Sequence, residues 1–369
     1  MKNSFGSSVT VTLSGESHGP AIGGVLDGLA PGIPVDPEKI AHQLRLRRPW
    51  GSISTPRVEA DRFEILSGVY EGKTTGTPLC IVIPNENTAS KDYMATRSLA
   101  RPGHADYTAF AKYHGFEDYR GGGHFSGRIT AGLVALGAVA LTALEGRGIR
   151  IGTHIARCAG IDDRAFQDPA AEISALNQLD FAVLDPEAGA KMQGAIQAAG
   201  AQGDSVGGIL ETAVTGLPAG VGEPWFDTLE GVLAHGLFSI PGIKGVEFGE
   251  GFDLADARGS TYNDPFYMEG GQVRTKTNHN GGINGGISNG MPLRIRCAVK
   301  PTPSVRLPQD TVDFFQGTDA VLQVQGRHDP AILHRARVVA DSVVALVLCD
   351  QLALRYGTDW LGGTPCAAD

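Results

Sequence analysis

Two histidines stand in glycine-flanked turns, each with a carboxylate two positions away. His18 lies in GESHG after Glu16, and His104 lies in RPGHADYT before Asp106. The unperturbed pKa of histidine, about 6.5, is close to neutral pH, so such side chains can exchange protons during a reaction. A lone loop histidine is more often structural. The pair makes acid–base chemistry as strong an interpretation as the structural one.

Several arginines end the first predicted helix or flank glycine-containing segments such as GGGHFSGR (121–128), which directly precedes an apolar run. They are Arg45, Arg47, Arg48, Arg120, Arg128 and Arg327. A guanidinium group binds phosphate or carboxylate oxygens bidentately. A glycine-rich loop that leads into a helix adds free backbone N–H donors. Together they predict a local site for a multiply charged, phosphorylated ligand.

Glycine accounts for 51 of the 369 residues and is gathered into separate clusters. Such clusters indicate backbone with positive φ or close approach to a ligand, although ordinary tight turns are the alternative. GGINGGISNGMP (281–292) and KPTPS (300–304) could line a flat, polar cofactor through main-chain hydrogen bonds. No Walker loop or convincing dinucleotide-binding fingerprint is present, which disfavours a nicotinamide-binding Rossmann domain.

GESHG also matches the nucleophile-elbow pattern G-x-S-x-G, with Ser17 as the nucleophile of a serine esterase. An elbow is followed by a helix, whereas the segment after GESHG reads as a strand. The serine hydrolase is therefore a minor alternative. A protein that binds a cofactor without catalysis is another.

The bulk composition excludes several classes of protein. A formal net charge of −9 argues against a nucleic-acid or anionic-membrane binder. No signal peptide or run of about 18 apolar residues is present, so we expect a cytoplasmic protein without membrane contact. The five cysteines are scattered and include no C-x-x-C pair, so we expect reduced thiols rather than disulfides or a metal site.

The chain opens with a strand, a turn, a helix and a hairpin, a pattern that predicts an α+β fold. Residues 9–13 alternate as a strand does, 37–48 read as a helix with Pro at its start, and 129–146 form a helix that is apolar on nearly every face. A last helix is expected at 336–357. It carries Asp350, a carboxylate that must be hydrogen-bonded, paired or neutral if buried and that is then a candidate for proton transfer.

Taken in order, these segments resemble the chorismate synthase family over nearly the whole chain. The matching motifs are GESHG, LRRP, FEILSGVYEGKTTGTP, RPGHADYT, DYRGGGHFSGR, GDSVGG, GEPWFDTLEG, FSIPGIKGVEFGEGF, GGINGGISNGMP, KPTPS and GRHDP. The resemblance implies a carbon–oxygen lyase that removes phosphate and a ring proton from 5-enolpyruvylshikimate 3-phosphate by 1,4-elimination to give chorismate. It also implies a requirement for reduced FMN, with NADPH as the ultimate reductant.

The fold implied by the resemblance is a β-α-β sandwich, with long buried helices between antiparallel sheets, commonly assembled as a homotetramer. Residues 1–369 are then one domain, with a loose internal duplication of strands, glycine loop and apolar helix. The implied partner is a small-molecule substrate.

The resemblance also implies roles for individual residues. His104 is expected to protonate the departing phosphate, His18 to act beside the reduced flavin, and Asp350 to help the flavin take the ring proton. Substrate contacts are expected at Arg47, Arg48 and Arg128, with Arg47 linked to NADPH or to the substrate phosphate. The expected FMN contacts are His124, Phe125, Ser126, Pro241, Gly242, Gly285, Lys300, Pro301, Thr302, Pro303, Ser304 and Arg327.

Two segments depart from the family pattern. Many members have GGGRSSAR where this chain has GGGHFSGR, so His124 and Phe125 replace an arginine and a serine. Many also carry a further arginine near Ile53. Both departures concern cationic contacts to the cofactor or substrate.

Overall fold

A layer of helices lies between two antiparallel sheets in the computed structural model, which describes residues 2–55, 60–86, 97–324 and 328–362. The strands, numbered β1 to β18 in chain order, are Ser4–Phe5, Thr10–Gly15, Ala21–Asp27, Glu64–Ser67, Val69–Tyr70, Lys73–Thr74, Leu79–Pro84, Arg150–Cys158, Ile161–Asp162, Gly208–Thr215, Ile243–Phe248, Phe266–Glu269, Gln272–Thr275, Ile283–Asn284, Ile287–Ser288, Leu293–Val299, Gln309–Asp313 and Thr318–Leu322. The helices, numbered α1 to α9, are Pro37–Arg47, Asp106–Tyr113, Thr130–Glu145, Pro169–Leu176, Pro186–Ala201, Leu229–Leu237, Gly259–Tyr262, Leu333–Tyr356 and Asp359–Gly362.

The first sheet has the order β1-β2-β3-β7-β4, and the second has the order β11-β16-β10-β8-β9. All strand pairs in both sheets are antiparallel. In β7 and β16 buried and less buried residues alternate, as expected when one face of a sheet packs against a core. The remaining strands form separate two-stranded sheets, β5-β6, β12-β13, β14-β15 and β17-β18.

Helices α3 and α8 form the centre of the helical layer. Helix α3 packs against β3 and β7 of the first sheet, and α8 packs against β8 and β10 of the second. Glycines let these elements approach closely, because a Cβ atom at Gly137 of α3 would lie 2.3 Å from Cβ of Ser342 in α8, and one at Gly132 would lie 3.0 Å from Gly23 in β3. The stretch Gly127–Glu145 is apolar enough to cross a membrane by composition, but it is mostly buried inside the protein.

Local sequence explains where the other elements begin and end. Asp36 caps α1 by accepting the N–H of Glu38, with Pro37 in the first turn. The hairpin β5–β6 turns at Glu71 and Gly72, both with positive φ. These findings confirm the expected α+β class and the two long buried helices. The proposed internal duplication stays a prediction.

Candidate active site

The triple-glycine loop brings the two candidate histidines together. Gly121, Gly122 and Gly123 have φ of 59°, 82° and 53°, a left-handed region that glycine adopts without strain. A Cβ atom at Gly121 would lie 2.6 Å from Nε2 of His18, and one at Gly122 would lie 3.4 Å from Nε2 of His104. Two imidazoles thus pack against consecutive residues, at positions where any larger side chain would collide with the first ring and crowd the second.

A carboxylate fixes the orientation of His104. Nδ1 of His104 lies 2.7 Å from Asp106, whose oxygens also accept Nε and Nη2 of Arg101, both at 2.8 Å. Burial would raise the pKa of Asp106, but the hydrogen bonds from Arg101 and His104 outweigh it and hold that pKa far below its usual range. Because an ionised carboxylate only accepts, Nδ1 carries the proton, and Nε2 is the atom that faces the glycine loop.

The turn that carries His18 is joined to the same loop. The N–H of Ser17 donates to the carbonyl of Gly123 at 3.1 Å, and both Ser17 and His18 are buried. A hydrogen bond from Arg120 lowers the pKa of Asp118, and the charge of His18 adds to this effect. The loop therefore places a second carboxylate–arginine pair near His18.

Three predicted substrate-binding arginines converge on one buried carboxylate. The side chain of Asp61 is fully buried, and its Oδ2 lies 3.6 Å from Nη1 of Arg47 and 3.5 Å from Nε of Arg48. Its Oδ1 accepts Nη1 of Arg128, at the end of the glycine loop. We call Arg47, Arg48, Arg128 and Asp61 the arginine cluster. It brings cations from the end of α1 and the start of α3 to one place.

The segment 300–304 lies beside the His104 loop, as its predicted role requires. Nζ of Lys300 donates to the carbonyl of Gly103, and Nη1 of Arg101 donates to Oγ of Ser304 at 3.3 Å. The N–H of Lys300 donates to the carbonyl of Gly242 at 2.9 Å. The predicted cofactor residues Gly242 and, next to it, Pro241 therefore adjoin this segment.

The segment's other polar group points to a ligand. Oγ1 of Thr302 is buried and has no hydrogen-bond partner among the described residues. Pro301 and Pro303 flank it in the sequence, and Ser304 lines a cleft of about 260 Å³. That cleft also contains polar side chains of Ser54, Gln197, Asp204 and Arg306. The polar cleft suits a ligand rich in hydrogen-bonding groups, although Thr302 itself is not among the residues that line it.

His124, Phe125 and Ser126 support the loop itself. Nδ1 of His124 donates to the carbonyl of Gly15 at 2.8 Å. The rings of Phe125 and Tyr113 pack edge to face, with their centroids 6.0 Å apart. Oγ of Ser126 accepts the N–H two residues later at 3.3 Å. One ring nitrogen of His124, which stands where many family members have arginine, is thus already hydrogen-bonded to the strand β2.

Two predicted site residues lie elsewhere. Asp350 is buried in α8, where its carboxylate accepts the N–H groups of Ser7, Ser8 and Val9 at 2.6 to 3.1 Å. Gly285 is exposed at the tip of the β14–β15 hairpin, whose hydrogen bonds lead to the segment 218–229. Arg327 lies outside the described residues.

The sequence analysis did not identify two carboxylates of the site, Asp61 and Asp118. Asp118 stands two residues before Arg120 in the motif DYRGGG, so its pairing was visible in the spacing. Asp61 lies in no glycine cluster, and it is 67 residues from Arg128 in the sequence. Only the fold brings the two together.

The chain was compared with known proteins. A family model described as chorismate synthase matches residues 9–353. The chain belongs to the chorismate synthase family. A chorismate synthase of Dehalococcoides mccartyi is 48% identical over 97% of this chain and 98% of its own length. Those of Methanosarcina mazei and Pyrococcus abyssi are 46% and 45% identical, over 96% and 94% of this chain and 97% and 96% of theirs.

A solved structure agrees with this assignment. A crystal structure of chorismate synthase matches the fold with a TM-score of 0.75 at 28% identity, and covers 96% of this chain and 94% of its own. The expected family and its β-α-β fold are thus confirmed. The serine-esterase alternative also conflicts with the geometry, because Ser17 is buried and leads into the strand β3 rather than a helix.

Proposed function

We propose that this chorismate synthase family member converts 5-enolpyruvylshikimate 3-phosphate into chorismate and inorganic phosphate, in the presence of reduced FMN. The observation that carries the proposal is the contact of His18 and His104 with consecutive glycines of one loop, which ends in the arginine cluster. An elimination that expels phosphate needs a proton source and cations at the same place, and this loop joins both.

His104 supplies the proton to the departing phosphate in this proposal. Its Nδ1–H is held by Asp106, so a protonated ring presents Nε2–H on the side of the glycine loop. A general acid of this kind lowers the barrier because it neutralises the leaving group as the C–O bond breaks. Arg101 keeps Asp106 ionised, and the ionised carboxylate stabilises the imidazolium.

The arginine cluster binds the anionic groups of the substrate. Arg48 is the most exposed of its three arginines and, with Arg128, contacts phosphate or carboxylate oxygens. Arg47 is almost fully buried, and its Nε donates to Oγ1 of Thr130 at 3.0 Å, so it also holds the start of α3. Fixed cations beside the leaving group stabilise the charge that develops there.

The residues that would hold FMN are 124–126, 241–242 and 300–304, with Arg327 expected from the resemblance. The unpaired Oγ1 of Thr302 and the polar cleft at Ser304 fit a group with many acceptors and donors. Reduced flavin, when bound, supplies electron density that assists the breaking of the C–O bond. NADPH is its ultimate reductant in this proposal. The carboxylate of Asp350 accepts the N–H groups of Ser7, Ser8 and Val9 chiefly through Oδ1, and in this proposal it would assist the removal of the ring proton beside the flavin.

A cytoplasmic location and a homotetramer complete the proposal, with a small molecule as the partner and with neither nucleic acid nor membrane bound. The net charge of −9 supports the last point. Size-exclusion chromatography with light scattering measures the oligomeric state.

The test is an anaerobic assay of the purified protein with the phosphorylated substrate and chemically reduced FMN. We expect chorismate and inorganic phosphate in equal amounts, and none without reduced flavin. Folded protein that binds FMN but forms no product would instead support a non-catalytic binding protein. Labelling of Ser17 by a fluorophosphonate would support the esterase.

A further inference from the structure

Asn85 lies just after the strand β7 and makes four hydrogen bonds that join two parts of the site. Its Nδ2 donates to the carbonyls of Glu16 and Gly19, at 3.0 and 2.9 Å. Its Oδ1 accepts Nε of Arg128 at 3.1 Å. Its backbone N–H donates to the carbonyl of Pro20 at 3.0 Å. One side chain therefore spans the His18 turn and the arginine cluster.

The chemistry of its neighbours fixes the orientation of this amide. A guanidinium has no acceptor, so only the amide oxygen can face Arg128. A backbone carbonyl has no donor, so only the amide nitrogen can face Glu16 and Gly19. Both ends of Asn85 are thus used, and neither an acid nor a hydrocarbon of the same size can replace it.

We propose that Asn85 is a positioning residue that couples the arginine cluster to His18. The inference rests on the proposed function. Ser17 and His18 lie between the two carbonyls that Asn85 holds, so the amide fixes the backbone from which the imidazole projects toward Gly121. The same amide anchors Arg128 at its Nε, while Asp61 anchors Nη1.

The variant Asn85→Asp separates these two contacts. A carboxylate still accepts from Arg128, which Asp61 also holds, but it adds a negative charge beside the arginine cluster and so weakens the binding of the anionic substrate. It cannot donate to the two carbonyls, and its second oxygen repels them, so the His18 turn loosens. We expect kcat to fall by roughly tenfold to a hundredfold, as small displacements in an active site do. KM should rise for this charged variant, whereas for the uncharged Asn85→Ala it should stay within about threefold of the wild-type value.

Asn177→Asp is the matched control. Asn177 also donates its Nδ2 to a carbonyl, that of Ile151, at 2.9 Å, but it lies at the end of α4. The same chemical change there should lower thermal stability and leave kcat and KM of the folded protein unchanged. Asn85→Ala serves as a second, uncharged variant, for which we expect the same fall in kcat.

Hydrogen exchange measured by mass spectrometry tests the inference without activity. We expect faster exchange in the peptide covering 15–21 for both Asn85 variants, with the rest of the chain unchanged, and no such local change for Asn177→Asp. An unchanged 15–21 peptide, or wild-type kcat in both Asn85 variants, would overturn the inference. A wild-type protein that makes no chorismate would instead sink the proposed function, and the exchange data would still decide the role of Asn85.

Discussion

His104 and His154 both pair with carboxylates, but only His104 has a ring nitrogen available to a ligand. His104 is partly exposed and uses Nδ1 on Asp106, while its Nε2 edge faces Gly122 and has no hydrogen bond to the described residues. His154 is fully buried in β8, with Nδ1 2.7 Å from Asp163 and Nε2 2.9 Å from Glu211. Nε2 of His104 is thus available to a ligand, whereas both ring nitrogens of His154 are hydrogen-bonded to protein carboxylates.

The second arrangement is a structural clamp. Because each ring nitrogen of His154 faces a carboxylate, both must donate, and the ring is an imidazolium. Burial alone would lower the pKa of His154, but the hydrogen bonds to Asp163 and Glu211 outweigh it and raise that pKa above its usual value. Glu211 also accepts from Arg294, which joins three neighbouring strands of the second sheet. A carboxylate partner alone therefore does not identify a catalytic histidine. The distinguishing feature of His104 is that its second ring nitrogen is available to a ligand.

The strongest test of this contrast is His104→Gln. Loss of the general acid should lower kcat by roughly a hundredfold to ten-thousandfold, since that is the usual contribution of such a group. Thermal stability should remain close to wild type, because the ring is at the surface of a loop. Steady-state rates under anaerobic conditions measure the first effect, and calorimetry the second. Near-normal turnover in this variant would remove His104 from the mechanism.

His154→Gln should show the opposite pattern. It leaves two buried carboxylates short of a charged partner, and we expect a loss of about 3 kcal/mol of folding free energy, at the lower end for a broken buried pair because Arg294 still bonds to Glu211. A raised pKa in the folded state contributes stability below the unfolded value of about 6.5, and that stability is lost as the pH rises through the folded value.

The difference in melting temperature between wild type and His154→Gln should therefore be largest below about pH 6.5 and shrink at alkaline pH. Thermal melts over this range provide the measurement. Turnover per folded molecule should not change. A gap that widens with rising pH would show that His154 is neutral in the folded protein.

Asp106→Asn tests the role of the carboxylate that pairs with His104. An amide removes the charge that stabilises the imidazolium but keeps the shape of the side chain, so we expect a fall in kcat of roughly tenfold to a hundredfold, less than that for loss of the histidine itself. Anaerobic steady-state kinetics beside the wild type measure this change. A normal kcat would mean that Asp106 only shapes the loop.

Local patterns in the sequence predicted the long helices and the two histidine loops. The helix expected at 129–146 is Thr130–Glu145, and the one expected at 336–357 is Leu333–Tyr356, because long apolar runs leave few other structures. The apolar spacing in PWFDTLEGVLAHGLF (224–238) also predicts a helix, but the helix α6 begins only at Leu229, after a short turn at Trp225–Asp227. Glycine clusters and nearby carboxylates identified the His18 and His104 loops.

Contacts between distant segments could not be read from the sequence. Asp61 bonds to Arg128 across 67 residues of sequence, and no local pattern marks it. His154 stands in an ordinary strand, and its partner Glu211 is 57 residues away. For Asp350 the requirement for hydrogen bonds in a buried site was foreseen, but the donors turned out to be amides of the chain's beginning. Its catalytic role stays an untested expectation.

The bond between Asp350 and the segment 7–9 has a consequence for biosynthesis. Ser7 and Asp350 are 343 residues apart, so the hydrogen bonds between the segment 7–9 and α8 join two distant parts of the chain. The strand β2, which leads into the His18 turn, follows that segment directly. These bonds can form only after α8 has been synthesised, so the anchoring of the segment before β2 is a long-range contact, of the kind that slows folding.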